Sequence, residues 1–316
     1  MSSNAELAGI AEARSERTRA AMFAQEERAL RKPQSNYARA WRRFRGNKMA
    51  IAGLTIATLL VLMALFAPLI SKYITHVSPS KQSLVHQFEP ASKAHWFGTD
   101  EYGRDVLTRI AYGARVSLGV AFTAVIAAIF LGTLVGASAG YYGRWVETVL
   151  MRFVDVMLSI PGIVLLVLIS ALFQVGPLQL ALIIAALGWF GLSRLLRSEI
   201  LSIKRREYVE AARVIGAPDR VIIRRHILPN VTHLIIVFAT GAIPAFILTE
   251  AALSFLGLGI QPPTPSWGNM LTNATQYIYK SKGLVFIPGF FISITVLSLI
   301  VVGYALRDAL DPRLSK

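Results

Sequence analysis

Apolar and polar positions along this chain fall into long separate blocks instead of alternating. Six apolar runs stand out: Met49 to Ile70, Val116 to Ala139, Phe153 to Phe173, Leu178 to Leu196, Val231 to Leu253 and Val285 to Leu306. Each is close to the roughly twenty residues an α-helix needs to cross the hydrocarbon layer. Each holds at most one charged residue. The pattern predicts six transmembrane helices and an all-α integral membrane fold. Only Gln174 to Pro177 separate the third and fourth runs, which makes them a hairpin.

The polar stretches divide the rest of the chain. Residues 1–36 are rich in Ala, Glu and Arg and show no sizeable apolar face, so they read as a helix-prone cytoplasmic tail. The next section, 37–110, holds Trp41, Phe44 and five basic residues within Tyr37 to Lys48, then the first span and a long loop. Tyr37 to Lys48 is either an interfacial helix with aromatics at headgroup depth or a solvated flank of the first span. Residues 111–308 form the main transmembrane domain, interrupted by a polar loop over 199–230, and 309–316 form a C-terminal tail.

Charge then fixes an orientation. The 316 residues are 54% hydrophobic and 16% charged, against about a quarter charged in soluble domains. With the N-terminus inside, the inner segments 1–48, 140–152, 194–230 and 307–316 carry 25 of the 33 lysines and arginines, and the outer segments 71–115 and 254–284 carry the other 8. Basic residues collect on the cytoplasmic side of membrane proteins. Both termini and the 199–230 loop are therefore expected in the cytoplasm. The net charge of +15 has this explanation, and nucleic-acid binding is not needed to account for it. The chain has no cysteine, which excludes a disulfide framework and thiolate chemistry. Its first forty-eight residues are polar and charged, so no cleavable signal peptide is read there.

The most distinctive stretch is the polar loop itself. Glu207 to Ile215 reads as a helix, with good formers and small alanines at Ala211 and Ala212. Gly216 stands where a glycine ends a helix, followed by Ala217. Pro218 opens a second helix with Asp219 in its first turn, and Pro229 is expected to stop it. The result is a short helical hairpin standing in water between two spans.

Glu210-Ala211-Ala212, three residues, Gly216, and then Leu228-Pro229 resembles the cytoplasmic coupling loop of permeases in ATP-binding-cassette (ABC) importers. The sequences His95 to Asp105, Leu253 to Gly259, Pro263 to Gly268 and Leu306 to Arg313 resemble the second permease subunit of dipeptide and oligopeptide importers, a type shared with nickel importers. The likeness runs from about residue 37 to 314. It implies an ABC importer type I permease fold in a bacterial cytoplasmic (inner) membrane. It implies a homologous second permease chain, two ATPase subunits that hold ATP and magnesium, and an extracytoplasmic substrate-binding protein. Glu207, Glu210, Ala211, Ala212, Gly216, Ala217, Leu228 and Pro229 would then couple this chain to the ATPase. The chain itself would be non-catalytic and bind no cofactor.

Other residues suggest roles within the spans. Gly132, Gly136 and Gly140 are four apart and share one helix face, a pattern that allows close helix approach. It serves either static packing or a sliding interface. Pro161 and Pro244 fall inside the third and fifth spans, where a proline removes a backbone donor and kinks a helix. They are candidates for a pathway or gate, as fixed bends or as hinges. Glu250 is the one acid near the outer end of the fifth span. It would either meet a peptide's amino group or cap neighbouring helix ends. Arg152 and Asp155 are three apart and are expected to pair. Asp105 and Arg109 suggest a helix lying on the membrane in the outer loop. Asn273-Ala-Thr275 matches a glycosylation sequon by chance.

Missing motifs narrow the function. There is no Gly-x4-Gly-Lys-Ser/Thr phosphate loop, no His-Glu-x-x-His metal site and no Gly-x-Ser-x-Gly nucleophile elbow. An intramembrane enzyme would need convergent catalytic groups, and Arg152, Asp155 and Glu250 are dispersed. A standalone secondary transporter would predict paired broken helices in inverted halves and leaves the hairpin unexplained. The sequence is read as half of a translocation pathway for di- or oligopeptides working by alternating access, with nickel or another small solute as the alternative cargo.

Overall fold

In the computed structural model of the chain, residues 36–310 are described, apart from 174, 273 and 275. The N-terminal tail before residue 36, the last six residues, and Asn273 and Thr275 of the sequon lie outside the described residues. The chain divides into two units, 1–43 and 44–316. The described part of the first is the beginning of helix α1 (Asn36–Gly46).

Among the described residues of the second unit the regular elements are helices, joined by irregular stretches such as 76–105 and 256–266, with one isolated β-bridge between Thr99 and Asp105. Its helices are α2 (Lys48–Leu65), α3 (Ala67–Ile70), α4 (Val106–Tyr142), α5 (Arg144–Ser159), α6 (Gly162–Leu172), α7 (Pro177–Gly188), α8 (Phe190–Ile203), α9 (Glu207–Val214), α10 (Asp219–Ile222), α11 (Leu228–Phe255), α12 (Trp267–Thr272) and α13 (Gly283–Leu310). Among the described residues, four helical stretches are long and apolar enough to cross a membrane by themselves. The pairs α5/α6 and α7/α8 add two more spans if each bent pair is one crossing.

Those two pairs are broken more sharply than the continuous third and fourth spans, the third kinked at Pro161, that the sequence predicts. Between α5 and α6 the axis turns by 82°, and between α7 and α8 by 43°. Pro161 explains the first break. It has no N–H to give to the ladder and it disfavours helical geometry in the preceding residue. Ile160 is accordingly extended, and Pro161 becomes the N-cap of α6 instead of a kink inside one helix.

The outer loop also differs from expectation. Asp105 does not lie on a separate surface helix. It is the N-cap of α4, its Oδ1 accepting from the Thr108 N–H at 2.7 Å. At 1.5 Å per residue the 37 residues of α4 extend about 55 Å, far more than the roughly 30 Å hydrocarbon layer. Its first turns are buried within the outer loop. Arg109 pairs with Asp100 (Nε to Oδ2, 3.4 Å), which also takes Arg104 Nε at 2.6 Å. Gly103 has φ +67 in this knot, and a Cβ there would lie 1.9 Å from the Ser83 carbonyl oxygen.

Helices α4 and α8 pack along the glycine stripe. A Cβ on Gly132 would meet Leu192 at 3.0 Å, one on Gly136 would lie 2.7 Å from the Ser193 carbonyl oxygen, and one on Gly140 would lie 2.9 Å from Ile200 Cβ. Without side chains at these three positions the two backbones approach closely, and dispersion contacts replace what a larger residue would supply.

Candidate functional site

The polar loop folds as a hairpin whose inner face is apolar. Arg206 is extended and caps α9, with Glu207 and Glu210 in the first turn, where their charge complements the helix dipole. Both are exposed. At the other end the Ala217 N–H bonds to the Ala212 carbonyl and the Gly216 N–H to the Arg213 carbonyl. This pair of bonds is the Schellman closure. It requires a left-handed residue, and Gly216 supplies it at φ +83. Val209, Ile222 and Ile227 are fully buried between the arms, together with Ala212, and join Leu196, Ile200, Ile203 and Val231 in one cluster. Each such Ile or Val contributes about 1.5–3 kcal/mol relative to exposure, enough to hold a small element in a fixed shape.

The second arm does not end at Pro229, as the sequence suggested. Asp219 to Phe255 forms one helical run. Residues Ile223–Ile227 adopt a π-turn, and the Leu228 N–H reaches back five residues to the Ile223 carbonyl. Pro229 lies in the first turn of α11 immediately after it. The widened turn takes up the register where Pro229 cannot donate, so the hairpin passes directly into the fifth span.

Polar contacts tie the hairpin to its neighbours. The Tyr141 hydroxyl, near the C-terminal end of α4, donates to Asp219 Oδ1 at 2.5 Å. The Arg213 guanidinium lies 5.9 Å from the centre of the Tyr141 ring. Lys204 Nζ donates to the Gly140 and Tyr141 carbonyls at 2.9 and 3.3 Å, occupying orphan acceptors at the C-terminal end of α4. Partial burial lowers the Lys204 pKa from its ordinary value, and Glu147 pulls in the opposite direction. Arg197 pairs with Glu147 and Arg194 with Asp155. Asp155 therefore bonds across to α8, and not to Arg152 on its own helix.

The structure distributes the residues expected to couple between two faces. Ala212 is buried inside the hairpin, Ala217 and Leu228 are half-buried, and Ala211, Gly216 and Pro229 are exposed. The small size of Ala212 serves the hairpin's own packing. Sequence reasoning missed the apolar residues beside the turn. Val214 is 86% and Ile215 83% exposed, although they stand in a polar segment. Their signal was two consecutive β-branched residues immediately before a helix-ending glycine.

The candidates within the spans separate as well. Glu250 is 0% exposed. Its Oε2 accepts from the Ser117 hydroxyl at 2.7 Å and its Oε1 from the Ser254 hydroxyl at 2.8 Å. Those hydroxyls in turn accept the Trp267 N–H at 3.2 Å and the Ile260 N–H at 3.0 Å. Glu250 thus joins α4, α11 and the outer segment 256–267. Of the two readings of this acid, its placement favours the helix-linking one. Pro244 lies inside α11 and lines an open groove of about 360 Å³ between α11 and α13, with Thr240, Gly241, Gly303, Tyr304 and Arg307. Pro161 stands at the α5/α6 break, away from that groove's lining.

Comparison with known proteins agrees with this architecture. The family described as "Binding-protein-dependent transport system inner membrane component" matches residues 128–316. The family described as "N-terminal TM domain of oligopeptide transport permease C" matches residues 35–90. The chain is similar to the dipeptide transport system permease protein DppC of Alkalihalophilus pseudofirmus, at 44% identity over 89% of this chain and 91% of that protein. The DppC of Bacillus subtilis is 41% identical over 91% of this chain and 89% of its own length. The oligopeptide transport system permease protein OppC of Bacillus subtilis is 36% identical over 92% and 94%.

Proposed function

We propose, for a chain that belongs to the family of binding-protein-dependent transport system inner membrane components, that it forms half of a peptide translocation pathway and is driven through its 207–229 hairpin. The cargo class rests on relatives named as dipeptide and oligopeptide permeases across about nine-tenths of their length. A second permease chain supplies the other half of the pathway. Two ATPase subunits bind ATP and magnesium, and an extracytoplasmic binding protein delivers the peptide. This chain carries out no chemistry. The hairpin and both termini face the cytoplasm, in keeping with the basic residues around the inner segments.

The observation that carries this reading is the mechanical continuity of the hairpin. Its exposed end carries Val214 and Ile215, its fold is closed at Gly216, and its second arm continues into α11. Tyr141 and Lys204 fasten it to α4. A push on the exposed end is therefore transmitted to the second and fifth spans together. ATP binding draws the ATPase pair together, the hairpins follow, and the spans reorient from inward-open to outward-open. Hydrolysis reverses the motion.

The test is uptake of a radiolabelled dipeptide into cells expressing the full importer, with Ile215→Asp in this chain. Loss of uptake with normal membrane insertion supports coupling through the hairpin. Unchanged uptake contradicts it.

A further inference from the structure

Arg220, Arg224 and Arg225 line a common concavity with Val221 on the second arm of the hairpin. In an ordinary α-helix, which repeats every 3.6 residues, Arg220 and Arg224 share a face but Arg225 stands well round from Arg220. Here Ile223–Ile227 is a π-turn with hydrogen bonding to the fifth residue back. The wider turn brings Arg225 round toward the face of Arg220 and leaves Arg224 beside it. All three arginines thus line one concavity.

None of the three guanidiniums has an ion-pair or hydrogen-bond partner among the described residues. Arg205 and Arg206 are likewise without such a partner but do not line the concavity, while other neighbouring basic groups are engaged. Arg194 and Arg197 have carboxylates, Lys204 has carbonyls, and Arg213 has the Tyr141 ring. Three cations around one concavity repel one another, so the cluster favours an anion with several acceptor oxygens. Guanidiniums match a phosphate through forked hydrogen bonds.

Depth identifies the source of that phosphate. Tyr141 stands two residues beyond Ala139, the last apolar position of the second span. It bonds to Asp219, the residue directly before Arg220. The arginines therefore begin where the second span leaves the hydrocarbon, in the headgroup zone that adds roughly 5–8 Å on each side of the core. Basic clusters next to a span on the cytoplasmic side gain about 1 kcal/mol per Lys or Arg from anionic lipid.

We propose that Arg220, Arg224 and Arg225 form a binding site for the phosphate of an anionic phospholipid headgroup in the leaflet on the hairpin side. The lipid anchors the base of the second arm next to α11. This requires only that the hairpin side of the chain face a leaflet, and it does not depend on the identity of the cargo.

The experiment is native mass spectrometry of the full-length chain, co-expressed with its partner subunits and released from nanodiscs of mixed phosphatidylglycerol and phosphatidylcholine. The wild type is expected to retain phosphatidylglycerol. The triple variant Arg220→Gln, Arg224→Gln, Arg225→Gln is expected to lose that preference by about tenfold or more, while ATPase subunits still co-purify. The variant Arg205→Gln, Arg206→Gln is expected to keep the preference. Equal retention by the wild type and the triple variant overturns the proposal. So does equal loss in the Arg205/Arg206 variant, which would mean diffuse charge attraction. Full displacement of the lipid by millimolar inorganic phosphate would assign the site to a soluble anion. Loss of the ATPase with unchanged lipid would assign it to an acidic protein partner. Both of these also overturn the lipid site.

Discussion

Tyr141 and Asp219 lie 78 residues apart in the chain, and the hydroxyl of one donates to the carboxylate of the other at 2.5 Å. This bond joins the C-terminal end of α4 to the first residue of α10. A hairpin resting only on its own small core would move independently of the spans. Joined here, and continued into α11, it moves with them.

The bond predicts a separation of function from assembly. Tyr141→Phe removes a hydrogen bond to a charged acceptor, a loss of about 1.5–3 kcal/mol where the group is shielded and less where water reaches it. ATPase subunits should still co-purify with this variant, because the exposed end of the hairpin is intact. Peptide uptake per ATP hydrolysed should fall. Simultaneous measurement of ATPase activity and uptake in proteoliposomes checks it, and an unchanged ratio would show that the bond transmits nothing.

Gly216 offers a test of backbone conformation alone. A Cβ there meets no atom within 4 Å, so only the φ of +83 resists substitution. Gly216→Val should cost the hairpin at least about 1–2 kcal/mol, whereas Gly216→Asn should be tolerated because Asn enters the left-handed region readily. Proteolysis of the hairpin in membrane vesicles should accelerate for Val and barely change for Asn. Equal behaviour of the two would place the importance of Gly216 in contact, not conformation.

Glu250 should behave as a structural anchor. Glu250→Leu leaves the Ser117 and Ser254 hydroxyls without their acceptor, about 1–3 kcal/mol for each buried group. Thermal stability in detergent should drop accordingly, and the outer segment 256–267 should become sensitive to protease. Glu250→Gln keeps one acceptor oxygen and should lie between. A variant with unchanged stability but altered peptide selectivity would return this acid to the pathway.

The topology is open to direct chemical labelling, since the chain is free of cysteine. Ser92→Cys, in the outer loop, should react with an impermeant thiol reagent in intact cells. Ser202→Cys, at the inner end of α8, should react only after permeabilisation. Labelling of the second variant in intact cells would reverse the orientation.

Much of this architecture follows from local sequence. Apolar blocks locate the spans because hydrocarbon leaves a chain few options. Glu207 and Gly216 delimit α9 because caps and left-handed turns depend on nearby residues. The misreadings arise where distant residues decide. Arg194 captures Asp155 from 39 positions away, and nothing in the spacing of Arg152 and Asp155 reveals that competitor. The depth of α4 in the outer loop depends on Asp100 meeting Arg109. Pro229 announces the end of a helix by its own chemistry, yet a π-turn five residues long absorbs it. Ala212 reads as a small contact residue until Ile222 and Ile227 are seen packed with it.

The central claim, that the hairpin couples this chain to an ATPase through its exposed apolar end, rests on Val214 and Ile215 more than on any buried residue. Their exposure means that Val214→Asp with Ile215→Asp should leave the fold and membrane insertion intact. The most direct measurement is co-purification of the ATPase subunits with this double variant, against the wild-type chain, in the assembled importer. The account predicts that the variant inserts normally and loses most of the bound ATPase. Retention of the ATPase at the wild-type level would contradict it.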